Sequence, residues 1–510
     1  MNKLFSVLWN TTVYKAACIC VFLLIPAYPF CIFPQPLSAL LLVWGALILV
    51  QDLFTKRMFL RQAGSLFLAL FCIGYAVTIL LYAGEDKFST FHLYCWTIVE
   101  FFVLFTIKED KFVTMQTMFR DLHFINRVIC VVTLVAGSLC MFCYFFKVSA
   151  IIPDLEGING TWFLGVVTGR NSGIFNNPIS CANAMFVGCV ASLFNLVYPK
   201  KRTKGAIVCY VTNFTVCWLC INTTLTRTYV YGLYIFVFIA SFVAIFQLCS
   251  RTCSKRLLQW GAAVCASLVL TAGIVGGTEI GKIVIRETAE QLPTLNAHTL
   301  LDVFFSDDFS SENGENDGPT IIVDENVNTG LIRDEIDRLP NFFYPRNEFW
   351  KIGLQVIPHS PVFGFTTGNM KATSLEYGDT PYFHENGGVG IVTYHNAYFD
   401  IAVSAGLLGL GLILSFLIFQ IVRTLWVIFT KKFPATQNRE ILGYGVSVGY
   451  LATHICMTCM FLGVLCLTNV SVCMYFWIIL GFVSQINDQI LGNRRLLSCY
   501  NILHRFLKKQ

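Results

Sequence analysis

Four side chains stand where apolar runs begin, and their types suit the handling of an anion and a proton. Arg170 lies in Gly169-Arg170-Asn171-Ser172-Gly173-Ile174-Phe175-Asn176-Asn177-Pro178, and Arg227 in Leu225-Thr226-Arg227-Thr228-Tyr229. Arg346 heads a segment with a helical apolar stripe at Phe349, Ile352 and Val356, with Trp350, Leu354 and Ile357 beside it. Each arginine sits beside an expected helix N-terminus, with its unsatisfied N–H groups and positive dipole end. A cation there costs about 0.3–1 kcal/mol on its own. Bound phosphate reverses that cost, and guanidinium grips phosphate through a planar fork at any working pH. His395 stands in Thr393-Tyr394-His395-Asn396-Ala397-Tyr398-Phe399-Asp400, with Asn396 suited to cap the next helix. The dipole end favours neutral imidazole, a proton acceptor near neutral pH. Asp400 follows about one turn later, placed to orient a partner.

Taken singly, each residue also has a plainer reading. Arginine at a membrane interface commonly snorkels. His395 between Tyr394 and Tyr398 equally suits an aromatic belt, and physics alone leaves its two readings open. His384, in a Gly-rich stretch, reads as a turn residue, and the Asn159-Gly160-Thr161 triplet carries no weight. The acidic residues Asp302, Asp307, Asp308, Glu312, Glu315, Asp317, Asp324 and Glu325 match no EF-hand spacing and read as a solvated, flexible insert. No Cys/His spacing suggests zinc.

The elements that must hold these residues are membrane spans. Only 13% of the 510 residues are charged and 55% are hydrophobic, with mean hydropathy +0.64. A soluble domain carries roughly 25% charged residues, so a water-soluble body of this size is excluded. None of the 21 cysteines falls between Cys265 and Cys456, where the largest non-membrane segment lies, which argues against a disulfide scaffold. Spans are expected at 16–34, 37–54, 63–83, 91–107, 128–147, 179–198, 206–224, 230–250, 259–278, 397–421, 441–467 and 470–487. The first run, Ala16 to Phe33, lacks a small-residue cleavage site and reads as a first span rather than a signal peptide.

Most of the 36 Lys and Arg fall in one alternating set of connections, which predicts cytoplasmic termini and an outer face carrying 149–178, 222–229 and 279–394. The chain then divides into spans one to nine (1–278), an extracytoplasmic loop (279–396), spans ten to twelve (397–487) and a basic cytoplasmic tail (488–510). The loop holds the acidic part (302–326) and a short surface helix (346–357). The tail reads as a strip on the inner leaflet. The net charge of +6 is thus spread by side of the membrane, and no nucleic-acid partner is expected.

The motifs resemble those of the bacterial O-antigen ligase/polymerase family. His395-Asn396-Ala397-Tyr398-Phe399 followed by Gly406-Leu407-Leu408-Gly409 is similar to that family's His-Asn signature and the Gly-x-x-Gly of its next helix. Arg346 to Trp350, then Pro361-Val362-Phe363-Gly364-Phe365 and Gly368, resembles its Arg, aromatic, Pro-x-x-Gly-x-Gly run. Thr226-Arg227 resembles the Ser/Thr-Arg motif. Arg170 with Gly173, Phe175, Asn177 and Pro178 resembles the motif ahead of the sixth span. The four occur in the family's order and cover roughly 165–420. Thr226 replaces the commoner Ser, and the acidic part looks like an insertion.

The resemblance implies an all-α polytopic bundle of GT-C type with about twelve transmembrane helices, in a bacterial inner membrane. It implies transfer of a glycan from undecaprenyl pyrophosphate to a sugar hydroxyl on a second lipid-linked chain or on a lipid–glycan acceptor. Arg227 and Arg346, with Arg170, would bind the pyrophosphate. His395 would act as the base, and Asn177, Asn396 and Tyr398 would support. The displacement would invert the anomeric centre and use no metal or cofactor. A protein O-oligosaccharyltransferase would share the donor site. A transporter or flippase of lipid-linked sugars would instead need charged residues and broken helices at mid-membrane.

Overall fold

The computed structural model describes residues 7–32, 34–55, 58–82, 86–106, 114–152, 162–167, 169–198, 203–294, 346–380, 390–431, 433, 438–460, 465–492 and 496–500. The acidic part 302–326, His384, the Asn159 triplet and the tail beyond residue 500 lie outside the described residues.

Helices dominate, in the order α1 (Thr11–Leu24), α2 (Pro34–Phe54), α3 (Ser65–Leu81), α4 (Lys87–Val99) and α5 (Met115–Phe145). They continue with α6 (Pro178–Val197), α7 (Lys204–Thr223), α8 (Arg227–Thr252), α9 (Arg256–Gln291), α10 (Arg346–Val356) and α11 (Met370–Tyr377). The last are α12 (Ala397–Thr430), α13 (Asn438–Met460) and α14 (Ser471–Ile490). Among the described residues, 8 helices are long and apolar enough to cross a membrane: α2, α5 to α9, α12 and α13. The α1 and α3 helices are apolar but shorter. The chain is a mostly helical, multi-pass membrane protein.

A helix underlies every apolar run named above, although the first is displaced. The run 16–34 becomes α1, which ends at Leu24, because Pro26 and Pro29 cannot continue a helix. The chain instead turns and pairs with the Arg170 motif. Tyr28 N donates to Ile174 O at 2.8 Å, and Asn176 N to Pro26 O at 2.9 Å.

The sequence reading foresaw no strands, yet three described segments between 149 and 173 form a small antiparallel sheet. Its strands are β1 (Ser149–Ile152), β2 (Trp162–Val167) and β3 (Arg170–Gly173), in that spatial order. Strand β3 lies on α5, where Gly173 has φ +58° and any Cβ would meet Cys140 Sγ at 2.2 Å. Glycine is required there both by its left-handed backbone and by the close approach.

Small residues bring the spans together. Gly445 and Gly449 of α13 face Ala240 and Ala244 of α8, and a Cβ on Gly449 would stand 2.6 Å from Ala240 Cβ. One-turn spacing of small residues lets backbones approach closely, the usual contact between helices in lipid. The α14 helix is buried from Ser471 to Ser484 and forms the centre of the bundle. Outward-facing side chains are apolar: Leu257, Leu258, Val269 and Ile280 of α9 are all more than half exposed.

One helix is broken. In α12, Gly406 has φ 68° and ψ 180°, a non-helical conformation open essentially to glycine alone. The segment 361–366 fills the break. Leu407 N donates to Pro361 O at 2.8 Å, Phe365 N to Val403 O at 2.8 Å and Thr366 N to Ser404 O at 2.9 Å. Gly364, φ +72°, lies against it, and a Cβ there would meet Gly406 N at 2.5 Å. The two glycines of the sequence motifs are thus two halves of one contact.

Candidate active site

Arg227 is the first residue of α8. The residue before it, Thr226, occupies the N-cap but makes no side-chain cap bond, because its hydroxyl is otherwise engaged. Arg170, at the start of β3, donates from Nη2 to Thr226 Oγ1 at 3.2 Å and from Nε to Thr224 O at 3.1 Å. Its neighbour Asn171 is buried and donates to Cys140 O and Thr223 Oγ1. The sheet therefore fastens the turn that delivers Arg227. Threonine at 226 keeps the hydroxyl on which this depends.

His395 sits in a strained turn ahead of α12. Its φ is 52°, in the left-handed region that costs a non-glycine residue free energy. Several bonds hold it there. Asp400 Oδ1 accepts from Tyr394 N at 2.7 Å, and Oδ2 accepts from the Thr393 hydroxyl at 3.0 Å. His395 N donates to Thr393 Oγ1 at 3.2 Å, and Trp350 Nε1 donates to Tyr394 O at 3.1 Å. Asp400 thus orients a partner, and that partner is the backbone of the turn. Among the described residues no hydrogen bond occupies the imidazole.

The supporting residues are anchors. Asn396 caps α12, accepting from Tyr398 N at 3.0 Å, and its amide donates to Cys459 O at 2.8 Å. Tyr398 places its hydroxyl 3.5 Å from Thr458 Oγ1. Asn177 caps α6, accepting from Ser180 N at 2.8 Å, with Pro178 as the first helical residue.

The α10 helix carries Arg346. Its Ile352 and Val356 are fully buried, in a small core with Phe365, Met370, Ile391, Tyr394 and Val403. This core seats Phe349 against the imidazole of His395, with ring centroids 5.6 Å apart, and Trp350 parallel to Phe399 at 6.3 Å. Sequence reasoning named Arg346 and His395 but did not foresee Phe349 as a ring packed on the histidine. The only signal was an aromatic residue one turn after the arginine.

Charge coupling joins the elements. Burial, and then the charge of Arg227, lowers Arg346 from its ordinary value. Burial, and then the charge of Arg346, lowers His395 from its ordinary value. Residues 227, 346 and 395, from three separate elements, thus share one electrostatic site. Arg170 reaches it through the Thr224–Thr226 turn, and Asn396 and Tyr398 through the start of α12, while Asn177 caps α6. Two half-buried arginines and a half-buried imidazole are thus the charged and titratable groups that these three elements contribute to that coupling.

The chain gives no match among curated proteins. A family model described as O-antigen ligase matches residues 212–414, from within α7 into α12. The match takes in Arg227, Arg346, His395 and the Gly364/Gly406 contact, and it leaves out Arg170 and Asn177. It bears out the family resemblance of the motifs, and with it a membrane role in glycan ligation or polymerisation. Residues 212–414 match the O-antigen ligase family model, which supports the O-antigen ligase/polymerase family to which the motifs point.

Proposed function

We propose that the protein is an inverting glycosyltransferase that moves a glycan from undecaprenyl pyrophosphate to an acceptor sugar hydroxyl, with no metal. The observation that carries this is the electrostatic coupling of Arg227, Arg346 and His395. Two half-buried guanidinium groups held near each other repel, and a diphosphate between them turns that repulsion into attraction. Charge grows on the diphosphate as the glycosidic bond breaks, so the same two groups stabilise the transition state more than the ground state. Neutral His395 takes the proton from the attacking hydroxyl. Arg170 holds the Thr224–Thr226 turn and so positions Arg227. In this reading the twelve helical runs are spans of a GT-C-like bundle in a bacterial inner membrane. The termini are cytoplasmic, and 279–396 is an extracytoplasmic loop that carries part of the site.

A transporter would use the break at Gly406 as an ion or substrate site. The backbone of 361–366 already satisfies the groups freed there, which favours the enzyme. The experiment is transfer by purified protein from a lipid-pyrophosphate glycan, read as product size on a gel. A ladder means polymerisation, and one transferred product means ligation to lipid–glycan or, with a peptide acceptor, to protein. His395→Ala is expected to lower transfer by about 10²–10⁴-fold with donor binding intact. Arg227→Ala is expected to weaken donor binding as well. Wild-type rates in both variants, or no transfer by the wild type, would overturn the proposal.

A further inference from the structure

A cavity of about 690 Å³ opens beside the His395 turn, and neither arginine lines it. Its size is within the range of small-ligand pockets, about 300–1,000 Å³. Its mouth is exposed, at Asp86, Lys371, Leu375 and Val392, while Ile401, Ser404 and Leu467 form a buried floor. Thr393 and Asp400 form the wall that the cavity shares with the turn carrying His395. Ser89, Thr367 and Thr468 add hydroxyls, and the backbone of Gly368 passes along the edge.

The charge distinguishes this space from the arginine site. Two carboxylates, Asp86 and Asp400, and one ammonium, Lys371, line it. A diphosphate would meet the exposed Asp86 carboxylate and the acidic Asp400 with only one ammonium to hold it. Sugar hydroxyls suit the same lining: carboxylates accept from them, the ammonium donates to them, the side-chain hydroxyls do either, and Leu93, Met370 and Ile401 offer apolar contact for ring faces. We propose that this cavity is the acceptor subsite, binding the terminal sugars of a glycan so that a hydroxyl is presented at the Thr393–Asp400 wall to His395. The assignment rests on the glycosyltransferase reading above for its role, and on the cavity alone for its ligand class.

The test is binding of oligosaccharides released by mild acid from lipid-linked glycans to the full-length protein in nanodiscs, alongside binding of undecaprenyl pyrophosphate. Ser89→Trp, from the first turn of α4, fills the cavity, and Leu375→Trp fills it from the opposite wall. Wild type and His395→Ala are expected to bind the oligosaccharides equally. Both Trp variants should bind them about tenfold or more weakly. Unchanged undecaprenyl-pyrophosphate binding certifies that a Trp variant is folded. Oligosaccharide binding that both Trp variants retain, or that the wild type lacks, overturns the subsite. The two proposals fail separately. A protein that binds the sugars in this cavity but transfers none loses the enzyme reading alone. One that transfers with an unchanged acceptor KM in folded Trp variants loses the subsite alone.

Discussion

At the scale of single residues, the proposed mechanism requires His395 to be both neutral and aimed. Its burial and the nearby charge of Arg346 both lower its affinity for a proton. The base form therefore persists below the ordinary histidine value of about 6.5. The acidic limb of kcat/KM, which reports the free enzyme, is expected below that value. Arg346→Gln removes the cation that disfavours imidazolium, so the limb should move to higher pH even as the rate falls. A pH–rate profile of both proteins checks the direction, and a limb that moves down contradicts the coupling. Aim comes from Asp400, which grips the turn through Thr393 and Tyr394 rather than through the imidazole. Asp400→Ala leaves the Tyr394 amide without its acceptor, at about 1–3 kcal/mol, and frees a strained φ. A loss of about 10²-fold in kcat with donor affinity retained is expected, measured by single-turnover transfer.

At the scale of elements, the break in α12 and the 361–366 segment make one unit. The break leaves backbone groups of α12 unpaired, and the segment, passing between α12 and α3, returns their hydrogen bonds. Thr78 on α3 ties the same segment, donating to Phe363 O at 2.7 Å, and Tyr75 OH accepts from Thr367 N at 3.1 Å. Gly406→Ala combines a forbidden backbone region with a Cβ placed 2.1 Å from Val362 O. The expected cost is about 2–4 kcal/mol, seen as a lowered Tm and poor recovery from detergent. Gly411→Ala, where a Cβ meets nothing within 4 Å, is the matched control and should be silent. The broken helix was not legible in the sequence. The Gly-x-x-Gly pattern marks a family helix, but only the partner segment 361–366 shows that the first glycine is not helical.

At the scale of the molecule, the site lies at one end of the bundle, where α8 and α12 begin and α7 ends, while α7 and α9 begin at the opposite end. In the proposed orientation the first end faces outward. A cysteine at exposed Asp379, tied to α10 through Gln355 Nε2 at 2.9 Å, should react with a membrane-impermeant maleimide on intact cells. One at Thr203, the N-cap of α7, should react only after permeabilisation. The reverse pattern would place the site in the cytoplasm and remove the proposed donor and acceptor arrangement. The covering of α9 by apolar side chains, most of them exposed, fits a helix that meets lipid over much of its surface.

Much of this was readable from residues alone, because the bilayer imposes long apolar runs and helix starts attract a short list of residue types. Those two constraints are local, so the positions of the apolar helices, the capping asparagines 177 and 396, and the candidate arginines and histidine could be named from one chain. The run 16–34 shows the limit of that reasoning. Hydropathy averages over Pro26 and Pro29, and the backbone does not. Only tertiary structure decided that Arg227 lies within electrostatic reach of Arg346 and Arg346 of His395, that Arg170 serves a turn, and that Asp400 holds a backbone rather than a ring. Each of these depends on contacts between residues tens to hundreds of positions apart or on the hand of a single φ, and neither quantity is written in local pattern.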